Sequence, residues 1–355
     1  MEIKIGNRTI SDNGKPYFIA DIAANHDGDL QRAFKLIELA KEAGADVAKF
    51  QNFKAAKIVS KNGFDKMPKK THQSNWSKSV YEVYEDASLA DEWTIRLKEK
   101  CNEVGIEYMT SPYDFESVDL ADMYSNAFKI GSGDITWTEM LQYIAKKNKP
   151  VLLATGASDS KEVERAVKEI RKINSQLILM QCNTNYTADR ANFKYINLNV
   201  LTEYKKKYPE VILGLSDHTF GHTTVLGAFA LGARVFEKHF TDDNNRVGPD
   251  HKFAMNPQTW KEMVEACMDL YYAMGDGTKR VEENEKESRI VQQRMIYFQR
   301  DMKAGEVVTE KDVFPVRPIQ ENGFFPYEID KVVGKKLRYD VEKDSCVKRG
   351  DLWDA

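Results

Sequence analysis

No apolar run in these 355 residues approaches the roughly 18–20 consecutive residues needed to cross a bilayer. The opening stretch MEIKIGNRTI likewise lacks the apolar centre of a secretory signal. Neither sign of charge is in excess: 52 Lys and Arg face 55 Asp and Glu, a formal net charge of −3. A nucleic-acid partner needs a basic surface, so that class is excluded along with a membrane partner. Cysteine is sparse. Cys101, Cys182, Cys267 and Cys346 show no paired spacing, which argues against a zinc site or disulfide framework and for reduced thiols. A cytoplasmic protein is the expectation. Nucleotide signatures are missing too: the turn ANHDGDL holds no GxGxxG, and no Walker pattern occurs.

What the chain does have is alternation. From residue 17 onward, short β-rich runs (YFIADIA, VAKFQ, YMTSPY, AFKIGS, VLLATG, LILMQCN, VILGLSD and RVFEKHF) are separated by helical patterns. Leu30, Ala33, Phe34 and Ile37 follow the helical period, as do Val163, Ala166, Val167 and Ile170. Asp29 and Asp159 stand where N-caps belong, and Gly44 where a helix ends. Eight strands, each followed by a helix, fit a closed parallel β/α (TIM) barrel better than a doubly wound sheet. Residues 54–85 form a long connection of the kind that makes lids or binding loops. After the charged linker TKRVEENEKES the periodicity changes to short β-like runs broken by Gly305, Pro315 and Pro318. We expect a barrel domain over residues 1–285 and a small β-rich domain over 290–355.

The strand ends carry the candidate chemistry, because barrel sites lie at the C-terminal face. In chain order they offer Asp21, Lys49, Gln51, Ser111, Lys129, Ser132, Asp134, Thr155, Thr184, Tyr186, Ser216, Asp217, His218, Lys238 and His239. Lysines from separate strands, converging with hydroxyls, make a phosphate or carboxylate site. Imidazoles on adjacent strands, His218 and His239, could share a divalent cation with open positions, as suits Mn²⁺, Fe²⁺ or Co²⁺. The competing pair His218/His222 would need a helix through Gly221, and no HExxH glutamate follows. His26 could orient substrate or brace the first loop, while His72 and His251 fall in loops.

These motifs, in order, resemble the sialic acid synthase family, which condenses phosphoenolpyruvate with an N-acylated sugar. The matching pieces are NHDGDL, AKEAGADVAKFQ, TSPYD, FKIGSGD, ATG, GLSDHT, ALGARVFEKHFT and GPDHKFAMNP. MKAGEVVTEKD, VRP and VGKKL resemble that family's antifreeze-like (SAF) module. The resemblance implies that His218 and His239 bind the metal, most readily Mn²⁺, with Mg²⁺ or Co²⁺ as alternatives. It implies that Lys49, Ser111, Lys129, Ser132 and Ser216 hold phosphoenolpyruvate, and that Gln51, Thr184, Tyr186 and Asp250 contact the acceptor sugar. Arg317 would reach the sugar's N-acyl group from a partner subunit, which implies a domain-swapped homodimer.

The chain departs from the family's usual pattern at points that matter. Asp21 and Asp134 stand where glutamates are usual, as the carboxylates that manage protons and water. Ala154 replaces a serine, and RPIQENGFFP is longer than the usual loop. A metal-dependent pyruvate aldolase and a non-catalytic glycan-binding barrel are the competing readings.

Overall fold

A computed structural model of the chain describes residues 1–67 and 78–353. It divides into two compact units, Met1–Gly275 and Asp276–Ala355.

The first unit opens with an antiparallel hairpin, β1 (Glu2–Ile5) and β2 (Arg8–Ser11). Then come β3 (Tyr17–Asp21), β4 (Val47–Asn52), β5 (Glu107–Pro112), β6 (Phe128–Ile130), β7 (Val151–Ala154), β8 (Leu177–Cys182), β9 (Ile212–Asp217) and β10 (Val235–His239). These close into a parallel barrel in which β10 pairs both β9 and β3. All of the runs read as strands are present. The eight-stranded barrel is therefore the observed fold.

The helices are α1 (Leu30–Glu42), α2 (Ala55–Ile58), α3 (Lys61–Asp65), α4 (Val80–Ala87), α5 (Asp91–Val104), α6 (Phe115–Tyr124), α7 (Thr138–Ala145), α8 (Ser160–Arg171), α9 (Val200–Lys207), α10 (Thr223–Ala230) and α11 (Pro257–Ala273). Asp29 caps α1 by accepting from the amides of Gln31 and Arg32, and Asp159 forms a capping box with Glu162 on α8. Gly44, just past α1, takes a positive φ of 93°. The long connection contains α2, α3 and α4. Residues 68–77, including His72, lie outside the described residues.

Alternation along each strand sorts side chains into two cores. Phe18, Ala20, Phe50 and Phe236 point outward and pack with Leu36, Trp260 and their neighbours under the helices. Tyr17, Ile19, Val47, Met109, Ile178 and Val235 point into the barrel. Ile3, Ile5 and Ile10 of the hairpin join that inner core. That core includes Tyr17, Val47 and Val235, the first residues of their strands, so the hairpin plugs the N-terminal end of the barrel, the end away from the strand C-termini.

In the second unit, α12 (Lys286–Gln292) precedes an antiparallel pair, β11 (Met295–Phe298) and β12 (Val313–Val316). Ile296, Phe298, Met302, Val308, Leu337 and Val347 form its small core. The remainder is bridged irregularly, for example Met302 with Val341 and Leu337 with Leu352. This is the β-rich character that the changed periodicity predicts.

The plug generates a test. Ile10 is 1% exposed, so Ile10→Ala should weaken the barrel by about 2–5 kcal/mol. The exposed Ile173→Ala should shift it by no more than about 0.5 kcal/mol. Urea unfolding followed by circular dichroism checks both; equal small effects would remove the plug from the core.

Candidate active site

The inward alternation that fills the barrel with Ile19, Val47 and Val235 continues to Asp21, Lys49 and His239 one or two steps later. Register aligns them: His239 pairs with Asp21, and Asp21 with Lys49. The same rule brings Glu237 beside Ser216. The result is a charged layer on top of an apolar one.

Lys49 Nζ lies 2.7 Å from Asp21 Oδ2 and 3.9 Å from Glu237 Oε2, and donates to Ser111 Oγ at 3.4 Å. Lys129 Nζ lies 2.6 Å from Glu237 Oε1, which also accepts from Ser216 Oγ at 3.2 Å. Burial opposes the charge on Glu237, Lys49 and Asp21, and at the first two the neighbours outweigh it. Lys129 and Lys49 outweigh burial at Glu237 and hold its carboxyl down at about 2. Asp21 and Glu237 likewise outweigh burial at Lys49 and raise its ammonium above the usual range. At Asp21 burial wins over Lys49, and its carboxyl sits above the usual range. Asp21 is nevertheless held in place by Gln51 Nε2 at 3.1 Å and by the Ala23 amide at 3.1 Å.

The imidazoles of His218 and His239 have ring centroids 5.3 Å apart. His218 Nδ1 donates to the Asn183 carbonyl at 2.9 Å, which leaves the Nε2 lone pair available. Nδ1 of His239 is buried without a hydrogen-bond partner. Burial drives both rings down to about 3, so both are neutral, the state a metal ligand needs. Among the described residues no group of three or more His, Cys, Asp or Glu is arranged around one cation. The two neutral imidazoles, one with its Nε2 lone pair open and one with an unpartnered Nδ1, are of the type that could hold a cation. His222 is not part of it: α10 starts at Thr223, so residues 218–222 are not helical and His222 is the N-cap.

Around this centre, the tilted ring of Tyr186 lies 4.3 Å from that of His218 and 5.4 Å from that of Phe253, which itself lies 4.9 Å from His239. Asp250 Oδ2 is 3.7 Å from His239 Nδ1. Asp134 lies in the 3₁₀ turn Ser132–Asp134, its carboxyl pushed up to about 6 by burial. After burial, the carboxylates of Asp134 and Asp21 raise the Tyr113 phenol, and those of Asp250 and Asp134 raise the Tyr84 phenol. Two phenols near the strand ends thus feel the field of all three carboxylates between them. Ser132 Oγ accepts from the Gly156 amide at 2.9 Å, and a Cβ on Gly156 would come within 2.5 Å of Thr184 Cγ2. Only glycine lets Ser132 and Thr184 approach each other there.

Some candidates point elsewhere. Asp217 and Lys238 are the outward neighbours of Ser216, His218, Glu237 and His239. They form a buried ion pair behind the site. Asp217 accepts from Thr219 Oγ1 at 2.9 Å and Thr224 Oγ1 at 2.7 Å, while Lys238 donates to the Thr219 carbonyl at 2.6 Å. Burial pushes the Asp217 carboxyl up, but Lys238 and these hydroxyls hold it below the usual range. Thr155 turns away, bonded to the Met180 carbonyl and Tyr204. His26 braces the first loop: its Nδ1 accepts from the Gly28 amide at 3.1 Å, its ring meets Trp93 edge-on at 5.7 Å, and burial holds it at about 4. Arg317 is exposed at the end of β12, in the second unit. Sequence reasoning missed Glu237 and Phe253. Counting two residues on from the inward Val235 finds the first; no pattern marks the second.

A closed parallel barrel with its charged layer at the C-terminal strand ends, followed by a small β-rich unit, defines the class: a β/α-barrel protein with an appended SAF domain, which the chain matches over residues 293–352. Residues 36–279 match the NeuB family, and the chain belongs to that family. It is 33% identical over 344 residues to the N,N'-diacetyllegionaminic acid synthase of Legionella pneumophila, spanning 95% of this chain and 94% of the relative. It is 32% identical to the pseudaminic acid synthase of Campylobacter jejuni, over 99% of this chain and 100% of that one. The crystal structure of the N-acetylneuraminic acid synthetase of Leptospira borgpetersenii in complex with citrate superimposes with a TM-score of 0.72 at 27% identity, covering 81% of this chain and 95% of that one.

The outward pair can be tested apart from the chemistry. Lys238→Met leaves Asp217 buried and unpaired and should cost about 3–5 kcal/mol. Adding Asp217→Asn should recover most of that loss. Thermal unfolding of the single and double variants measures it; equal stability of wild type and Lys238→Met would mean that the pair does not hold the loop.

Proposed function

We propose that the protein is a nonulosonic acid synthase that condenses phosphoenolpyruvate with the open-chain aldehyde of an N-acylated amino sugar, adds water and releases phosphate. The observation that carries this reading is the pair of buried lysines, Lys49 and Lys129, set beside two neutral imidazoles at the barrel mouth. The ammonium groups and the hydroxyls of Ser111, Ser132 and Ser216 suit an anionic phosphate and carboxylate. Tyr186, Gln51, Thr184 and Asp250 line the side where an acceptor would lie.

A divalent cation, with Mn²⁺ the first choice, would be held by His218 and His239 and would supply Lewis-acid charge to the aldehyde oxygen. The protein's own groups do the rest. Lys49 and Lys129 fix the phosphoenolpyruvate so that its C3 faces the aldehyde carbon, converting a collision into a positioned attack. Carbon–carbon bond formation leaves a cation at C2. Asp134, or Asp21 from the opposite wall, takes a proton from the water that adds there. The adduct then loses phosphate by C–O cleavage, and the lysines and serines receive the departing charge. Arg317 contacts the N-acyl group from the partner subunit of a domain-swapped homodimer.

Protein supplied with Mn²⁺, phosphoenolpyruvate and a panel of N-acyl amino sugars should release phosphate with at least one acceptor. No release with any of them, or pyruvate consumption without phosphate, would sink the proposal. Asp134 must be ionised to act as base, so the wild-type rate should fall as pH drops through about 6. Asp134→Asn should lower kcat about 10²–10⁴-fold with little change in KM for phosphoenolpyruvate, and its residual rate should lack that acid limb. Arg317→Ala should raise the acceptor KM. Mixing it with Asp134→Asn should restore turnover if Arg317 acts across the dimer, since each mixed dimer rebuilds one complete site; failure to complement would place Arg317 elsewhere.

A further inference from the structure

Asp250 reaches toward His239, at 3.7 Å, yet little at its own side chain keeps it there. Its carboxylate receives one long hydrogen bond, 3.3 Å from the Ala24 amide. The backbone of the segment that carries it rejoins the barrel at its two ends, where the Thr241 amide meets the Met255 carbonyl and the Met255 amide meets the His239 carbonyl, and Asn244 Nδ2 ties it to itself by donating to the carbonyls of His251 at 2.9 Å and Ala254 at 2.7 Å. Between those ends the chain is irregular, and Val247 is 98% exposed. A segment of that kind has many alternatives to the observed path.

The next residue ties the segment to the neighbouring loop. His251 is 0% exposed, and its ring is spent on Asp27 and Thr241. Its Nε2–H donates to Asp27 Oδ1 at 2.9 Å, and its Nδ1 accepts from Thr241 Oγ1 at 2.7 Å. Asp27 closes the 3₁₀ turn after β3 with a positive φ of 52°. Its second oxygen lies 2.9 Å from Arg246 Nε, 2.8 Å from Arg246 Nη2 and 3.1 Å from Arg32 Nε. Arg32, on α1, also donates to the Asn25 carbonyl at 2.8 Å and to Asp242 Oδ2 at 2.8 Å. A Cβ on Gly248 would stand 2.6 Å from His251 Cδ2, so the chain must be bare where it crosses the ring.

Thr241, His251 and Asp27 follow the order of a nucleophile relay, but the threonine is fully buried. Its hydroxyl is also engaged by the Asp243 amide at 3.3 Å. No substrate reaches it, and the chain of hydrogen bonds is structural. We propose that Asp27 and His251, braced by Arg32 and Arg246, are a latch that joins the loops after β3 and β10 and so positions Asp250 for the acceptor sugar. Both are positioning residues. The assignment rests on the acceptor reading given under Proposed function.

The test uses the full-length protein carrying His251→Leu, His251→Gln or Asp27→Asn. Hydrogen–deuterium exchange over residues 244–252 needs no substrate; steady-state kinetics with phosphoenolpyruvate, Mn²⁺ and the acceptor needs one. His251→Leu and Asp27→Asn should speed exchange in that segment and raise the acceptor KM roughly ten- to hundred-fold. The KM for phosphoenolpyruvate should stay within about two-fold, the split expected when only one substrate's contacts are lost. His251→Gln, whose amide can still donate to Asp27, should recover most of the acceptor KM. Unchanged exchange in the variants overturns the latch. So does faster exchange with an unchanged acceptor KM, or an equal rise in both KM values. If wild type turns over no acceptor, the functional reading falls, and exchange alone decides whether His251 and Asp27 hold the loop.

Discussion

Two lysines and two carboxylates face one another inside the barrel, and the upper half of the molecule is arranged around that fact. Lys49 and Lys129 are matched by Asp21 and Glu237. Removing such groups from water costs several kcal/mol per ion even after relaxation. Apolar residues of similar size would pack there at less cost. The cluster therefore contributes poorly to stability in its own right, and the barrel below it must make up the difference. It does so with a continuous apolar layer closed at the far end by Ile3, Ile5 and Ile10 of the hairpin. The plug and the charged mouth are two ends of one column of inward-facing side chains.

The mutual neutrality of the cluster also shapes what it can receive. Glu237 already satisfies Lys129 and leans on Lys49. An incoming anion would meet cations that are oriented but not free, with hydroxyls of Ser111 and Ser216 already among them. The geometry is ready before the ligand arrives, so less ordering remains for binding to do. The same preparation governs the imidazoles. His218 is turned by the Asn183 carbonyl and walled by Tyr186 and Phe253, and both rings are kept neutral by burial.

Much of this is legible in the sequence, for a simple reason. Buried parallel strands must be short, apolar and evenly separated by helices, so all of the barrel strands announce themselves, as do the caps Asp29 and Asp159. The polar residues at the ends of those strands stand out against an apolar background, and most of them do converge. The hairpin is not legible as a plug: EIKI and RTIS alternate like any exposed edge pair, and only the fold shows which side is covered. Glu237 escapes notice because a lone charge inside an apolar strand is easily assigned to the outside. Asp217 and Lys238 err in the other direction. They sit among the inward-facing candidates in the sequence, while their side chains leave from the opposite face. Phe253 and the partners of His251 depend on where an irregular loop returns, which no periodicity encodes.

The density of the diagnostic motifs has the same origin as these errors. In SDH, residues 216 and 218 face inward while Asp217 faces the scaffold. In EKH, Glu237 and His239 face inward while Lys238 reaches back to Asp217. In DH at 250–251, the aspartate meets His239 and the histidine meets Asp27. Each motif interleaves a residue that faces the barrel mouth with one that fixes the backbone beneath it. A side chain can be aimed only as well as its own Cα is held, and at a strand end or in a loop the nearest available support is the adjacent residue pointing the other way. Contiguous polar motifs are therefore what a barrel mouth requires when its functional groups must be rigid without a helix or sheet above them. Reading such motifs as uniformly catalytic overcounts the chemistry by about half, while the buried charges that remain unexplained by chemistry identify the supports.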